Sequence, residues 1–302
     1  MKEFSLPSEH GNLRGVAWDE VKNPIGTVQI AHGLAEYHGR YNETARFLNN
    51  LGYSVFCNDH LGHGLHISDG ELKGFFKDEN GYDAVVDQLA EMNSHIRKEY
   101  PSLNHYILSH SLGTPLTLSL LQRNVTFNGV VLSAAFSISP LFLLLNKLLL
   151  WPEYTFNDRK SLSNEMEKHT TLKHNSFFEP NRTTHDFLSR DKRKVDEYIQ
   201  DPLCGFIKTI QLWKDLTIGF KNLWSKKSFL LMDQNIPFLV FTGDEDPINE
   251  NGKQAQNISN LLIDCGFKTE FISFKGMRHE PLTELDRVSV MEKISEFFKS
   301  NN

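Results

Sequence analysis

Cysteine is scarce in this chain, with only Cys57, Cys204 and Cys265 among 302 residues. Their wide spacing and odd number give neither a zinc signature nor a disulfide framework, and they suit a reducing compartment. An excess of positive charge is also missing. Lys and Arg total 32 against 38 Asp and Glu, a net charge of −6. That balance argues against a nucleic-acid partner, which would need a basic face. The one basic cluster, "LSRDKRKVDE", is interleaved with acids and reads as a solvated helix surface. The N-terminal stretch has no apolar signal core, so the expected location is cytoplasmic. No internal repeat or low-complexity segment is found.

A membrane-spanning run is lacking as well. The closest approach is "GVVLSAAFSISPLFLLLNKLLLWP", whose only charge is Lys147. Its first part, 129–135, reads as a buried strand, and Pro140 separates that strand from the leucines. A helix from Pro140 to Trp151 would reach ~18 Å at ~1.5 Å per residue, short of a bilayer core ~30 Å thick. Such a helix can touch a membrane surface transiently or line an apolar pocket. The bland expectation for its leucines is cap core.

What the chain does contain is ordinary for a globular domain with a full core: 39% hydrophobic and 23% charged residues. Short β-branched or aromatic runs alternate with helical patterns, the mark of a mainly parallel sheet flanked by helices. The expected strands are "TVQIAHG", "YSVFCNDH", "HYILSHS", "GVVLSAA", "IPFLVFTGDED" and "TEFISFKGMRH". Between them lie the helical "NETARFLNNLG", "GYDAVVDQLAEMNSHIRKEYP" and "GTPLTLSLLQRN", and "LDRVSVMEKISEFFKSN" closes the chain. The rhythm breaks between the fourth and fifth strands, over an interval too long for a loop. The expected organisation is a core of residues 1–135 and 236–302, with 136–235 inserted as a mostly helical cap.

"SHSLG", 109–113, stands between a strand and a helix, the setting of a nucleophile elbow with Ser111 at its tip. The turn needs small residues two positions before and after the nucleophile. Gly113 meets the second requirement; Ser109 stands at the first in place of glycine. A serine hydroxyl is a weak nucleophile and needs a base oriented by a third group. In this architecture the acid and then the histidine follow at the ends of later strands. Of 13 histidines only His279 lies beyond residue 185, and it follows the last strand. The loop after the preceding strand offers Asp244, Glu245 and Asp246. Asp246 is the first choice because Pro247 stiffens its loop, with Asp244 as the alternative. The plainer reading makes these acids a solvated turn and His279 a surface residue. Acyl transfer also needs donors for an oxyanion. The backbone N–H of Leu112 is one, and that of Leu34, after the first expected strand, is the other. Gly33 lets that loop approach a substrate closely, and Leu141 and Leu145 are candidates for acyl contact.

Taken together, "AHGLAEYHGRY", "DHLGHG", "SHSLG", "GDEDPI" and "MRHE" resemble the monoacylglycerol lipase and lysophospholipase family of serine α/β-hydrolases. The resemblance extends into the cap, where "LSRDKRKVDEYIQDPLCGF" is similar to that family's "SRD…DPL" segment. It implies an α/β-hydrolase fold with Ser111, Asp246 and His279 as a triad and Leu34 and Leu112 as the oxyanion hole. The implied activity is hydrolysis of monoacyl lipid esters through an acyl-enzyme, without cofactor. Two positions depart from the family pattern: Ser109, and Tyr37-His38 where His-Ser is usual. The His60, His63, His66 and Asp59 cluster invites a metal reading, but its spacing is not that of a helical ligand pair, and no metal is expected. Rival expectations are a generic carboxylesterase, a thioesterase, a peptidase with the same triad, or a lipid-binding hydrolase fold without turnover. Oligomeric state is left open.

Overall fold

The computed structural model describes residues 1–68 and 70–302. Its centre is an eight-stranded sheet. In chain order the strands are β1 (Lys2–Ser8), β2 (Gly11–Trp18), β3 (Gly26–Ala31), β4 (Tyr53–Asn58), β5 (Asn104–His110), β6 (Gly129–Ser133), β7 (Phe238–Gly243) and β8 (Thr269–Phe274). Their spatial order is β1-β2-β4-β3-β5-β6-β7-β8. All neighbours from β4 to β8 run parallel, and β1 and β2 join antiparallel at one edge. The longer helices are α1 (Asn42–Asn50), α2 (Gly81–Glu99), α3 (Gly113–Leu121), α4 (Pro140–Phe156), α5 (Lys192–Gln200), α6 (Ile210–Gly219), α7 (Lys253–Asp264) and α8 (Arg287–Ser300).

The six strands expected from β-branched runs form the parallel part, each buried along its length except β8 at the edge. Parallel strands covered on both faces need such near-continuous apolar runs. The observed strands end one to five residues before the quoted runs do, because their polar ends turn out of the sheet into loops. The β1–β2 hairpin was not expected from the pattern. Its strands alternate weakly, and the Phe4, Leu6 and Leu13 side chains pack in one cluster with Phe56 of β4 and with Met92 and Ile96 of α2. Helix α7 is a second element outside the expected pattern, although Ala255, Ile258 and Leu262 recur at helical spacing and are buried.

From β3 the chain crosses to β4 on one side, while β5 pairs on the other. A reversal of this kind opens a crevice at the carboxyl ends of the strands, the usual ligand position in open α/β sheets. The segment between β6 and β7 carries α4, α5, α6 and short helical turns. Part of it belongs to the main core: Leu212, Leu216, Phe220 and Phe229 pack in one cluster with Val85, Leu89 and Leu116.

Helix α4 begins at Pro140 with Ser139 as its cap, the Ser139 hydroxyl accepting from the Phe142 N–H at 3.2 Å. Both residues suit a helix start. It continues past Trp151, through Pro152, to Phe156. Its leucines are divided between surface and interior, with Leu143 packed against the main core cluster. Leu141, Leu144, Leu148 and Trp151 are more than half exposed, and Leu150 is buried. No helix among the described residues is long and apolar enough to cross a membrane.

Candidate active site

The end of β5 sets the site. Ser111 follows His110 with φ of 48°, a left-handed conformation that costs a serine energy. Three bonds hold it. The Ser111 N–H donates to the Ser133 carbonyl at 3.0 Å, and the Ser111 carbonyl accepts from the Thr114 N–H at 2.9 Å and the Thr114 hydroxyl at 2.8 Å. Gly113 has no alternative, since a Cβ there would overlap the Ala31 carbonyl of β3. Ser109 does fit in place of a glycine. It is fully buried, and its hydroxyl donates to the Val131 carbonyl of β6 at 3.0 Å.

His279 approaches from the loop after β8. Its Nε2 lies 2.9 Å from Ser111 Oγ, and its Nδ1 lies 2.8 Å from Asp246 Oδ2. Asp246 is fully buried; Oδ1 accepts from the Ile248 N–H and Oδ2 from the Asn249 side-chain amide, each at 2.9 Å. Asn249 also donates to the Thr242 hydroxyl, so β7 helps to orient the carboxylate. Asp244 does something else: its Oδ1 accepts the Gly276 N–H at 2.5 Å and ties the loops after β7 and β8 together. Burial works against a charged imidazole at His279. The adjacent Asp246 carboxylate, by charge and hydrogen bond, more than offsets it, so the pKa stands above the usual histidine value. His110, close to His279 with ring centroids 5.1 Å apart, is driven the other way, down to about 3, by burial and by that neighbour.

The loop after β3 brings up Leu34. His32 Nδ1 lies 2.8 Å from the Gly33 carbonyl. A trans peptide points its N–H opposite to its carbonyl, so the Leu34 N–H faces away from His32. Among the described residues neither the Leu34 nor the Leu112 N–H has a protein acceptor. Two free donors flanking a nucleophile are what an oxyanion requires. The Gly33 N–H donates to Glu36 Oε1 at 2.5 Å, which also accepts from the Tyr41 hydroxyl at 2.7 Å. Burial and the nearby Glu280 push the Glu36 carboxyl up to about 7.

The histidine-rich segment after β4 supports this loop. The His60 N–H donates to His32 Nε2 at 2.9 Å, and the Ala35 N–H donates to His63 Nε2 at 3.2 Å. Burial lowers His60 to about 4 and His63 to about 3, so both rings are neutral and His63 can accept. Asp59 receives His38 Nδ1 at 2.8 Å and the Leu65 N–H at 2.8 Å. Among the described residues no group of His, Cys, Asp and Glu is arranged to hold a metal ion.

A cavity of about 790 Å³ opens above these groups. Gly33, Leu34, Ser111, Leu112, His279 and Leu145 all line it, and Asp246 sits behind His279. Leu141 does not line it; that side chain is 67% exposed on the outer face of α4. Phe142 and Leu149 of α4 and Trp213 and Leu216 of α6 give apolar walls. Sequence reasoning had singled out none of Glu36, Asn249, His110 and Tyr198. Glu36, His110 and Tyr198 lie inside quoted motifs, so position was visible and role was not. Asn249 had only its nearness to Asp246 as a signal.

A mostly parallel sheet with a serine on a strained strand-to-helix turn defines the α/β-hydrolase class of serine carboxylic-ester hydrolases. The comparisons agree. The carboxyl esterase of Bacillus coagulans superposes with a TM-score of 0.89 at 22% identity, covering 99% of this chain and 98% of that one, a likeness of fold. Monoglyceride lipase of Homo sapiens is 32% identical over 76% of this chain and 68% of its own length. The Rattus norvegicus monoglyceride lipase is 30% identical over the same shares. A family model described as "Serine aminopeptidase, S33" matches residues 22–286. The chain belongs to that family of serine hydrolases, and within it to the group of these monoglyceride lipases.

Proposed function

We propose that the chain hydrolyses monoacyl lipid esters, monoacylglycerols first among them, with Ser111 as nucleophile. The observation that carries this reading is the unbroken Ser111–His279–Asp246 hydrogen-bond chain beneath a large cavity walled by apolar side chains. Ser111 Oγ attacks the ester carbonyl carbon as His279 Nε2 takes the hydroxyl proton. The carbonyl oxygen becomes an oxyanion facing the N–H groups of Leu34 and Leu112. Its collapse breaks the bond to the alcohol, which leaves with the proton returned by His279. An acyl-Ser111 ester remains. Water then gives a proton to His279 and attacks that ester, releasing the fatty acid and restoring the serine. Asp246 keeps the proton on Nδ1 throughout and offsets the imidazolium charge.

The names of the relatives support glycerol as the leaving alcohol. Apolar walls support an acyl chain, since ten buried methylenes supply up to ~8 kcal/mol at ~0.8 kcal/mol each, less the cost of ordering. In this reading residues 136–235 form a cap on a core made of 1–135 and 236–302. Exposed Leu141, Leu144, Leu148 and Trp151 on α4 then meet a lipid surface transiently, where monoacyl lipids partition. Three unpaired, buried cysteines support a cytoplasmic setting.

The test compares kcat/KM on monoacylglycerols of increasing chain length, on lysophosphatidylcholine and on aminoacyl p-nitroanilides. Monoacylglycerols should lead, and Ser111→Ala should abolish both turnover and fluorophosphonate labelling. Labelling that survives in Ser111→Ala, or a preference for the anilides, rejects the assignment. Leu148→Glu should weaken binding to lipid vesicles while sparing hydrolysis of a short soluble ester; equal vesicle binding rejects the surface role.

A further inference from the structure

Helix α5 carries Val195 and Tyr198 on one buried face, at i and i+3, and Asp191 caps its start by accepting the Arg193 N–H at 3.0 Å. Tyr198 is 5% exposed, packed with Phe187, Leu188 and Cys204. Its ring also sits 5.0 Å from the Arg40 guanidinium carbon. The hydroxyl of Tyr198 reaches past this cluster to donate to the Ala35 carbonyl at 3.0 Å. The Gly205 N–H donates to the same carbonyl at 2.9 Å. Two residues on, the Tyr37 hydroxyl donates to Asp201 Oδ2 at 2.9 Å.

Ala35 is an unusual place to make such an anchorage. Its φ is 55°, a left-handed conformation that a residue with a Cβ enters at a cost. It directly follows Leu34, whose N–H is a proposed oxyanion donor. The core fixes the two preceding peptide planes, through His32 at the Gly33 carbonyl and His63 at the Ala35 N–H. Among the described residues, the third plane, bearing the Ala35 carbonyl, is held only by Tyr198 and Gly205 of the inserted segment. That segment also grips the histidine loop: the His279 N–H donates to the Phe187 carbonyl at 3.2 Å and the Glu280 N–H to the Leu188 carbonyl at 2.8 Å.

We infer that residues 186–205 brace both catalytic loops, and that Tyr198 is a positioning residue holding Ala35, and through it the Leu34 N–H, in the geometry an oxyanion needs. The inference rests on the function proposed above. Burial lifts the Tyr198 pKa well above the usual tyrosine value, so its hydroxyl remains a donor across the working pH range. The brace ties one part of the insertion to both loops, while exposed α4 shares none of these bonds.

The test uses the full chain as wild type, Ser111→Ala and Tyr198→Phe, which loses one oxygen and keeps the packed ring. A loosened hole should cost less than the about 10²–10³ in kcat for a deleted donor, so the expected fall is roughly tenfold with KM within about twofold. Phenylboronic acid, whose tetrahedral serine adduct puts an oxygen in the hole, should bind weaker by the same factor. A residue that only stabilised the fold would lower the melting temperature without that matched loss. Unchanged kcat and boronate affinity in Tyr198→Phe, beside an active wild type and a dead Ser111→Ala, overturn the brace and leave the hydrolase reading standing. An inactive wild type overturns that reading instead. Should Tyr198→Phe fail to fold, Tyr37→Phe reads the same brace: kcat should drop by about threefold or more at constant KM, and an unchanged kcat overturns it.

Discussion

Replacing Ser109 with glycine should weaken the fold and leave the chemistry nearly untouched. The Ser109 hydroxyl donates to Val131 at 3.0 Å between two central strands, in a site with no solvent access. A hydrogen bond of this kind contributes about 1 kcal/mol net. Its buried methylene adds ~0.8 kcal/mol. Glycine in a strand interior costs a further ~0.5–1 kcal/mol in chain entropy. Together the loss should be about 2–3 kcal/mol, a lower denaturant midpoint in a urea titration followed by tryptophan fluorescence. The elbow does not depend on that side chain. Ser111 is held by its own bonds to Ser133 and Thr114, and the close approach to β3 is made by Gly113. Accordingly kcat/KM should remain within about threefold of wild type. A variant as stable as wild type would refute the account of Ser109 as a strand tie. One that is stable but slowed by more than about tenfold would show that residue 109 shapes the elbow after all.

The two acids of the "GDED" loop should separate sharply. Asp246→Asn loses the carboxylate charge that orients His279 and offsets its imidazolium, and should lower kcat by roughly 10⁴. Asp244→Asn still offers an oxygen to the Gly276 N–H and should stay within about threefold; similar losses in both would contradict the roles drawn from their partners. The pH dependence has a definite sign. Protonated His279 cannot accept from Ser111, so kcat/KM falls as pH drops through the His279 pKa. That pKa is raised, and the acid limb should therefore lie above the ordinary value of 6.5. A limb below that value in wild type would contradict the raised pKa.

Much of this site was legible in the chain. Ser111, Asp246 and His279 stand at strand ends, and strand ends are where β-branched runs give way to polar, glycine-bearing turns. The β5 run and the apolar α3 pattern on either side of "SHSLG" located the elbow without coordinates. The choice between Asp244 and Asp246 was weaker, since both lie in one turn, and only the loop path shows which carboxylate meets the imidazole. The leucines of α4 illustrate the opposite limit. Their composition is that of a core helix, yet exposure of Leu141 and burial of Leu150 depend on what packs beside them. The β1–β2 hairpin is not legible in the pattern because its apolar side chains find their partners in β4 and α2, far along the chain.

The amino-acid order alone determined the parallel sheet and the position of the elbow, because local periodicity and turn chemistry act over a few neighbouring residues. Tertiary structure decided how residues far apart in the chain serve that elbow. The Tyr198 hydroxyl meets Ala35 across 163 positions, and the neutral His63 accepts from the Ala35 N–H across 28. Such contacts arise from the close approach of separately folded segments, and a hydrogen bond has no reach along the chain by which to announce itself.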